Sequence, residues 1–184
     1  MTTEIIKAEQ MKGEGLQLGY IQINEDYRKK WNIHGNDFFF ICKDGQPLRH
    51  TLYRKGGLGA NIKDDYFALL KYTEDIYPDS ITTVKKDKKH LKHEWCIIDK
   101  WGNEKVVIEQ FKHPYIVRNS CIYSVDRHYY NIETGEYYGQ ASTSMESDDF
   151  VFLENRWDKD KSKCGVLKIN KLNGTVELFP LSRS

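Results

Sequence analysis

The sequence predicts an all-β fold built from antiparallel repeats, and three observations carry that expectation. Alanine and leucine, the best helix formers, are scarce. The 184 residues hold four Ala, and no Leu lies between Leu91 and Leu153, whereas Tyr, Val, Ile, Phe and Thr are plentiful. Aromatic residues make up 13% of the chain (12 Tyr, 8 Phe, 4 Trp), which supplies enough apolar surface to fill a core and argues against a disordered polyampholyte. Finally, four segments run from β-forming residues through a glycine-bearing turn into a second β-rich run.

The N-terminal stretch Thr3 to Lys12 is expected to form a short helix contacting the rest through Ile5, Ile6 and Met11, and Arg28 to Trp31 a second one. Neither is long enough to organise a domain. The first repeat sets Gly19-Tyr-Ile-Gln-Ile23 ahead of the hairpin Phe38-Phe-Phe-Ile-Cys-Lys-Asp-Gly45-Gln-Pro-Leu. The second sets Tyr66-Phe-Ala-Leu-Leu-Lys-Tyr72 ahead of Trp95-Cys-Ile-Ile-Asp-Lys-Trp-Gly102-Asn-Glu-Lys-Val-Val-Ile. In the third, Tyr115-Ile-Val-Arg118 precedes Tyr129-Tyr-Asn-Ile-Glu-Thr-Gly135-Glu-Tyr-Tyr. In the fourth, Phe150-Val-Phe-Leu153 precedes Val166-Leu-Lys-Ile-Asn-Lys-Leu-Asn-Gly174-Thr-Val-Glu-Leu-Phe. Each turn glycine can take the positive φ that a tight hairpin needs, and Asp44-Gly45 and Asn173-Gly174 are the strongest of these signals.

The repeats begin near Tyr20, Tyr66, Tyr115 and Phe150, at intervals of 46, 49 and 35 residues that centre on the size of a propeller blade. The expected architecture is one β-repeat domain over residues 1–184, with units at about 16–57, 62–112, 113–140 and 147–181, forming a small four-bladed propeller or propeller-like arc. Closing such a ring would bring Leu16 to Ile23 beside Thr175 to Phe179 and seal the sheet edge.

Ile97-Ile-Asp-Lys-Trp-Gly-Asn-Glu-Lys-Val-Val-Ile108 resembles the core of a WG repeat, an apolar-apolar-Asp-Lys-x-Gly stretch followed by polar residues and Val. Ile122-Tyr-Ser-Val-Asp-Arg-His-Tyr-Tyr-Asn-Ile-Glu-Thr-Gly-Glu136 is similar to a blade of the quinoprotein-type propellers. The resemblance spans about a dozen residues in each unit. Repeats of these families generally serve as interaction scaffolds, so the resemblance implies binding and not catalysis.

With 28 Lys+Arg against 27 Asp+Glu, the chain has a formal charge of +1, which argues against a whole-molecule electrostatic grip on nucleic acid or an anionic membrane. No apolar run reaches the length of a membrane span, and Met1-Thr2-Thr3-Glu4 lacks the basic-then-apolar form of a signal peptide, so the expected location is the cytoplasm. Cys42, Cys96, Cys121 and Cys164 lie far apart in or beside apolar runs and are expected to be reduced structural thiols.

Candidate chemistry is sparse. Lys85-Lys-Asp-Lys-Lys-His-Leu-Lys-His93 reads as a solvated loop, with Lys85, Lys86, Lys88, Lys89 and Lys92 the alternative contacts for nucleic acid or phosphate. Arg54 and Lys55 open the glycine-rich Arg54-Lys-Gly-Gly-Leu-Gly-Ala60, a possible anion cradle that lacks the Gly-Lys-Ser/Thr and the following helix of a P-loop. His90, His93 and Cys96 are spaced for a metal, but a strand would send His93 and Cys96 to opposite faces, so no metal site and no cofactor are expected. Asp64-Asp65 and Asp148-Asp149 recur in the same role and are expected to cap turns, and His128 is expected to sit in one. No Gly-x-Ser-x-Gly elbow or other recognisable nucleophile setting occurs, so no catalytic residue is nominated.

The expected function is therefore a non-catalytic binding module for another macromolecule, foremost a protein. An accessory factor of the immunity or anti-defence type would suit so small a scaffold. Trp31, Trp101, Arg127, Tyr129, Tyr130 and Trp157 are the expected anchors, because Trp, Tyr and Arg dominate protein interfaces, although Tyr130 and Trp101 would serve equally well as sheet packing. A nucleic-acid or phosphate binder, and a small-molecule-binding or hydrolytic propeller, are the competing classes. The latter would need a deep pocket with convergent polar groups.

Overall fold

A computed structural model of the chain describes residues 4–23, 25–31, 37–56, 61–72 and 93–181. The strands in it are antiparallel and the fold is all-β, as the composition predicts. The chain forms two compact units, Met1–Phe111 and Lys112–Ser184, and the division falls between the second and third units expected from the sequence. Among the described residues no helix is long and apolar enough to cross a membrane.

Among the described residues the first unit carries one eight-stranded sheet. Its strands are β1 (Ile5–Gln10), β2 (Leu16–Ile21), β3 (Phe38–Lys43), β4 (Gln46–Pro47), β5 (Tyr53–Lys55), β6 (Tyr66–Tyr72), β7 (His93–Asp99) and β8 (Glu104–Ile108). They lie in the order β1-β2-β3-β5-β6-β7-β8, with β4 also paired to β3. The first two expected units thus share a single sheet and are not separate four-stranded units. Pairing of β5 with β6 joins them, satisfying an edge that would otherwise be buried unpaired.

The run Phe38-Phe-Phe-Ile-Cys42 shows why β3 is central. It is buried on both faces, as expected for an unbroken apolar run rather than an alternating one. Phe39 and Ile41 join Leu16, Leu18, Tyr53, Phe67, Leu69, Cys96 and Ile98 in one core. Phe38, Phe40 and Cys42 join Ile21, Ile23, Leu52 and Tyr72 in the other.

Two expectations at the N-terminus need correction. Residues 5–10 form strand β1, not a helix, because the segment is too short to nucleate a helix alone and gains a ladder on β2, interrupted by a register shift at Ile6, together with a Glu9–Lys55 ion pair at 2.8 Å. β2 has β1 on one side and β3 on the other, so it has no free edge with which to close a ring onto Thr175–Phe179. The expected second helix is present as the two-turn α1 (Glu25–Trp31).

The second unit holds two four-stranded meanders. The first contains β9 (Tyr115–Ile116), β10 (Ile122–Val125), β11 (His128–Asn131) and β12 (Tyr137–Gln140), and corresponds to the third repeat. The second contains β13 (Thr143–Glu146), β14 (Phe150–Asn155), β15 (Gly165–Asn170) and β16 (Val176–Pro180), and corresponds to the fourth. Its first strand lies in the polar Ser/Thr stretch that composition marks as a loop. Exposed on both faces, β13 has no apolar alternation to announce it.

Three hairpins are closed by the same device. Asp99, Asn131 and Asn170 each end a strand and turn a side-chain oxygen back onto turn amides: Trp101 and Asn103 (both 2.9 Å), Glu133 and Thr134 (2.8 and 3.0 Å), and Leu172 and Asn173 (2.9 and 3.1 Å). Gly102, Gly135 and Gly174 complete the turns at φ of 81°, 73° and 71°. The four cysteines are free and buried.

Candidate functional site

The site is built on β10, β11 and β12. Asp126 and Arg127 both adopt positive φ, 50° and 64°, the geometry of a two-residue hairpin turn that matches strand twist. His128 is consequently the first residue of β11 and not part of the turn. That turn fixes the register: Tyr123 stands opposite Tyr130, and Tyr130 opposite Tyr137.

Three rings therefore stack in a row across adjacent strands. Tyr123–Tyr130 centroids are 5.2 Å apart at 21°, and Tyr130–Tyr137 centroids 5.1 Å apart at 35°. His128 extends the row, its ring 5.8 Å from that of Tyr137 and its Nδ1 2.7 Å from the Tyr137 hydroxyl. Exposure rises along the row from 8% at Tyr123 to 52% at Tyr137. Burial raises the pKa of both the Tyr123 and Tyr137 phenols, and at Tyr137 the charge of Asp158 adds to this, so both remain neutral at physiological pH. Asp158 follows Trp157, which is 81% exposed in the same unit.

A bulge gives the row its direction. Pairing shifts between Tyr129 and Tyr130, which inserts Tyr138 as an extra residue in β12, and Gly139 absorbs the kink at φ 111°. Tyr137 is left facing solvent while Tyr138 is buried. The Tyr138 hydroxyl accepts from Asn131 Nδ2 at 3.0 Å and donates to the Gly174 carbonyl at 2.9 Å, tying the third hairpin to the fourth.

The expected anchors divide accordingly. Tyr130 lies in the aromatic row, Arg127 is exposed in the turn at its end, and Trp157 is exposed after β14. Tyr129 is buried on the opposite face, because neighbouring strand residues point opposite ways. Trp101 belongs to the first unit, exposed in the Asp99–Gly102 turn with the Lys100 ammonium 5.2 Å from its ring centre. Trp31 lies on α1, with its side chain outside the described set. His128, Tyr137 and Tyr123 escaped the sequence reading. Residues equidistant from a turn centred on Asp126-Arg127 pair across it, so recognising that turn would have found Tyr123 with Tyr130.

The other candidates resolve differently. Lys85, Lys86, Lys88, Lys89 and Lys92 lie outside the described residues, as do His90 and residues 57–60 of the glycine-rich segment. Arg54 Nε donates to Asp37 at 2.5 Å, and Lys55 pairs with Glu9, so both cations of that segment are engaged within the chain. His93 and Cys96 sit on opposite faces of β7. Asp64 accepts from Asn61 in a turn, and Asp65 pairs with Lys12 at 2.6 Å.

One polar network in the first unit has the composition of an active centre. The Tyr53 hydroxyl donates to Glu104 at 2.5 Å and accepts from Arg49 Nε at 2.7 Å, and Lys71 Nζ donates to Glu104 at 2.9 Å. Arg49 also donates to the Gly102 carbonyl. Burial pushes the Tyr53 phenol well above its ordinary value, and the hydrogen bond to Glu104 adds to that. Glu104 is pushed up by burial but held below the ordinary carboxylate range overall by the bonds from Tyr53 and Lys71. Burial pushes the nearby Cys96 thiol up to about 12, which leaves it without thiolate at neutral pH. The network satisfies itself and presents no activated nucleophile, so its chemistry is that of a structural ion-pair cluster. No protein-family model, curated protein or solved structure matches the chain.

Proposed function

We propose that the chain is a non-catalytic binding module that recognises another protein through the aromatic face of its second unit. The row His128–Tyr137–Tyr130–Tyr123, open at Tyr137, is the observation that carries this reading, and Trp157, 81% exposed in the same unit, is the second anchor we expect. Stacked tyrosines are already ordered, so they present amphipathic area with little entropy left to lose on binding. Arg127, exposed on a rigid turn, supplies a cation at the rim. The same reading keeps a propeller-like repeat origin for the chain, with the first two expected units fused in one sheet. It is supported by the two four-stranded meanders and by the Asx-glycine turns that recur at Asp99, Asn131 and Asn170. An accessory role in which the module neutralises its partner, as immunity or anti-defence factors do, is the form we favour.

The test begins with affinity purification from the native cell and mass spectrometry, followed by surface plasmon resonance with the purified partner. Tyr137→Ala and Trp157→Ala should each weaken binding by roughly thirtyfold, the effect of losing an interface hot spot of about 2 kcal/mol. Trp101→Ala should leave binding unchanged. Unaltered affinity in both second-unit variants would refute the reading, as would recovery of nucleic acid with steeply salt-dependent binding.

A further inference from the structure

β16 is the last strand of its sheet and, among the described residues, pairs only with β15. Two backbone hydrogen bonds, Asn170 N to Thr175 O at 2.9 Å and Leu181 N to Cys164 O at 3.4 Å, set the alternation along that pair. Thr175, Glu177, Phe179 and Leu181 turn their backbone groups toward β15. The N–H and C=O of Val176 and Leu178, and the C=O of Pro180, therefore point outward, and no hydrogen bond reaches them among the described residues. The flanking side chains are apolar on both faces. Val176 and Leu178 on one, and Phe179 and Leu181 on the other, remain 40–48% exposed. Sheets ordinarily cover or blunt such an edge, and in this strand the blunting residues are Pro180, which lacks an N–H, and the charged Glu177.

The chemistry of the edge selects its occupant. A second copy pairing antiparallel about Leu178 would set Pro180 against Val176, leaving the Val176 carbonyl without a donor on both copies, and would put Glu177 against Phe179. A register centred on Glu177 would oppose two carboxylates. Six extended residues span about 20 Å. One strand edge of that length falls short of the roughly 800 Å² per partner that stable association of folded subunits takes. A peptide strand needs no more than this. Glu177 has no ion-pair partner among the described residues, because Lys168 opposite it lies over the Phe150 ring at 4.1 Å.

We infer that the free edge of β16 receives an extended apolar segment of a protein partner by antiparallel strand addition, with a Lys or Arg of that segment opposite Glu177. This contact is distinct from the aromatic face and does not depend on it.

The probe is fluorescein-labelled Val-Thr-Val-Ile-Lys-Val-amide, whose residues would face Leu181 through Val176 in turn, titrated with the full chain and read by fluorescence anisotropy. Saturable binding is expected. Leu178→Pro removes an outward N–H while sparing the ladder to β15, and should weaken binding about tenfold. Glu177→Lys, an exposed change that tests charge without touching the backbone, should weaken the Lys peptide at least threefold and favour its Lys-to-Glu counterpart. Tyr137→Ala should bind the peptide like the parent chain, which separates failure of this contact from failure of the aromatic face. The inference is overturned by no saturable binding up to about 1 mM, by equal affinity in Leu178→Pro and Glu177→Lys, or by sedimentation showing a dimer that Leu178→Pro dissolves, which would assign the edge to a second copy.

Discussion

Replacing Asn131 by Ala and comparing it with Asn170→Ala isolates what burial adds to a turn-closing hydrogen bond. Both side chains accept two amides of the turn that follows, at 2.8–3.0 Å for Asn131 and 2.9–3.1 Å for Asn170. Removing either should cost about 1 kcal/mol for those bonds, since the freed amides are reached by water. Asn131 is 3% exposed and also donates through Nδ2 to the Tyr138 hydroxyl at 3.0 Å and toward Cys121 Sγ at 3.6 Å. Its loss adds an unfilled space and an unpaired buried acceptor, for a total of about 3 kcal/mol. Because the chain has two compact units, the difference should be read by native-state hydrogen exchange on peptides covering residues 121–140, where a unit-specific free energy is measured. Equal losses in the two variants would refute the claim that the contact between Asn131, Tyr138 and Gly174 is a stabilising core of the second unit.

Three further outcomes follow from the same structure. Gly174 and Gly135 share a positive φ, but a Cβ at Gly174 would lie 2.2 Å from Asn131 Nδ2 whereas one at Gly135 meets nothing within 4 Å. Gly135→Ala should cost about 1 kcal/mol for backbone strain and Gly174→Ala at least twice that, measured by urea unfolding. The Glu104 pKa is depressed on folding, so its stabilisation is present above the unfolded carboxyl value near 4.5 and is lost as pH falls through the lower folded value. Parent chain should therefore lose more stability than Glu104→Gln between pH 7 and pH 3, and parallel pH profiles would dismiss the network as a contributor. Cys96, with its thiol pushed up to about 12 by burial, should resist iodoacetamide in the native chain at pH 8 and react on unfolding, and rapid native labelling assigned by mass spectrometry would contradict its burial.

How far the sequence could be read depended on the range of the interaction involved. Turn chemistry is local: Asp44-Gly45, Gly102, Gly135 and Gly174 specify positive φ at single positions, and each hairpin formed where its glycine placed it. α1 was visible in part, at Arg28–Trp31, and extends back to Glu25. β13 was not, because an edge strand exposed on both faces carries no alternation. β1 looked helical because Ile5, Ile6 and Met11 suit either structure, and pairing with β2, a contact outside the segment, decided it. In the candidate site, Tyr130 and Trp157 could be nominated by residue type, but the opposite fates of Tyr129 and Tyr130 depend on strand parity, and those of Tyr137 and Tyr138 on a bulge.

By itself the sequence determined an all-β chain of four hairpins, their turn positions, and buried thiols, because backbone propensity, glycine conformation and apolar runs act within a few residues. Tertiary structure alone decided that β5 would pair with β6 and merge the first two expected units, that β2 would have both edges filled, and that β16 would keep one open among the described residues. A strand edge is the same row of N–H and C=O groups whatever its side chains. Which edges meet is therefore settled by the packing of distant elements and not by the local code.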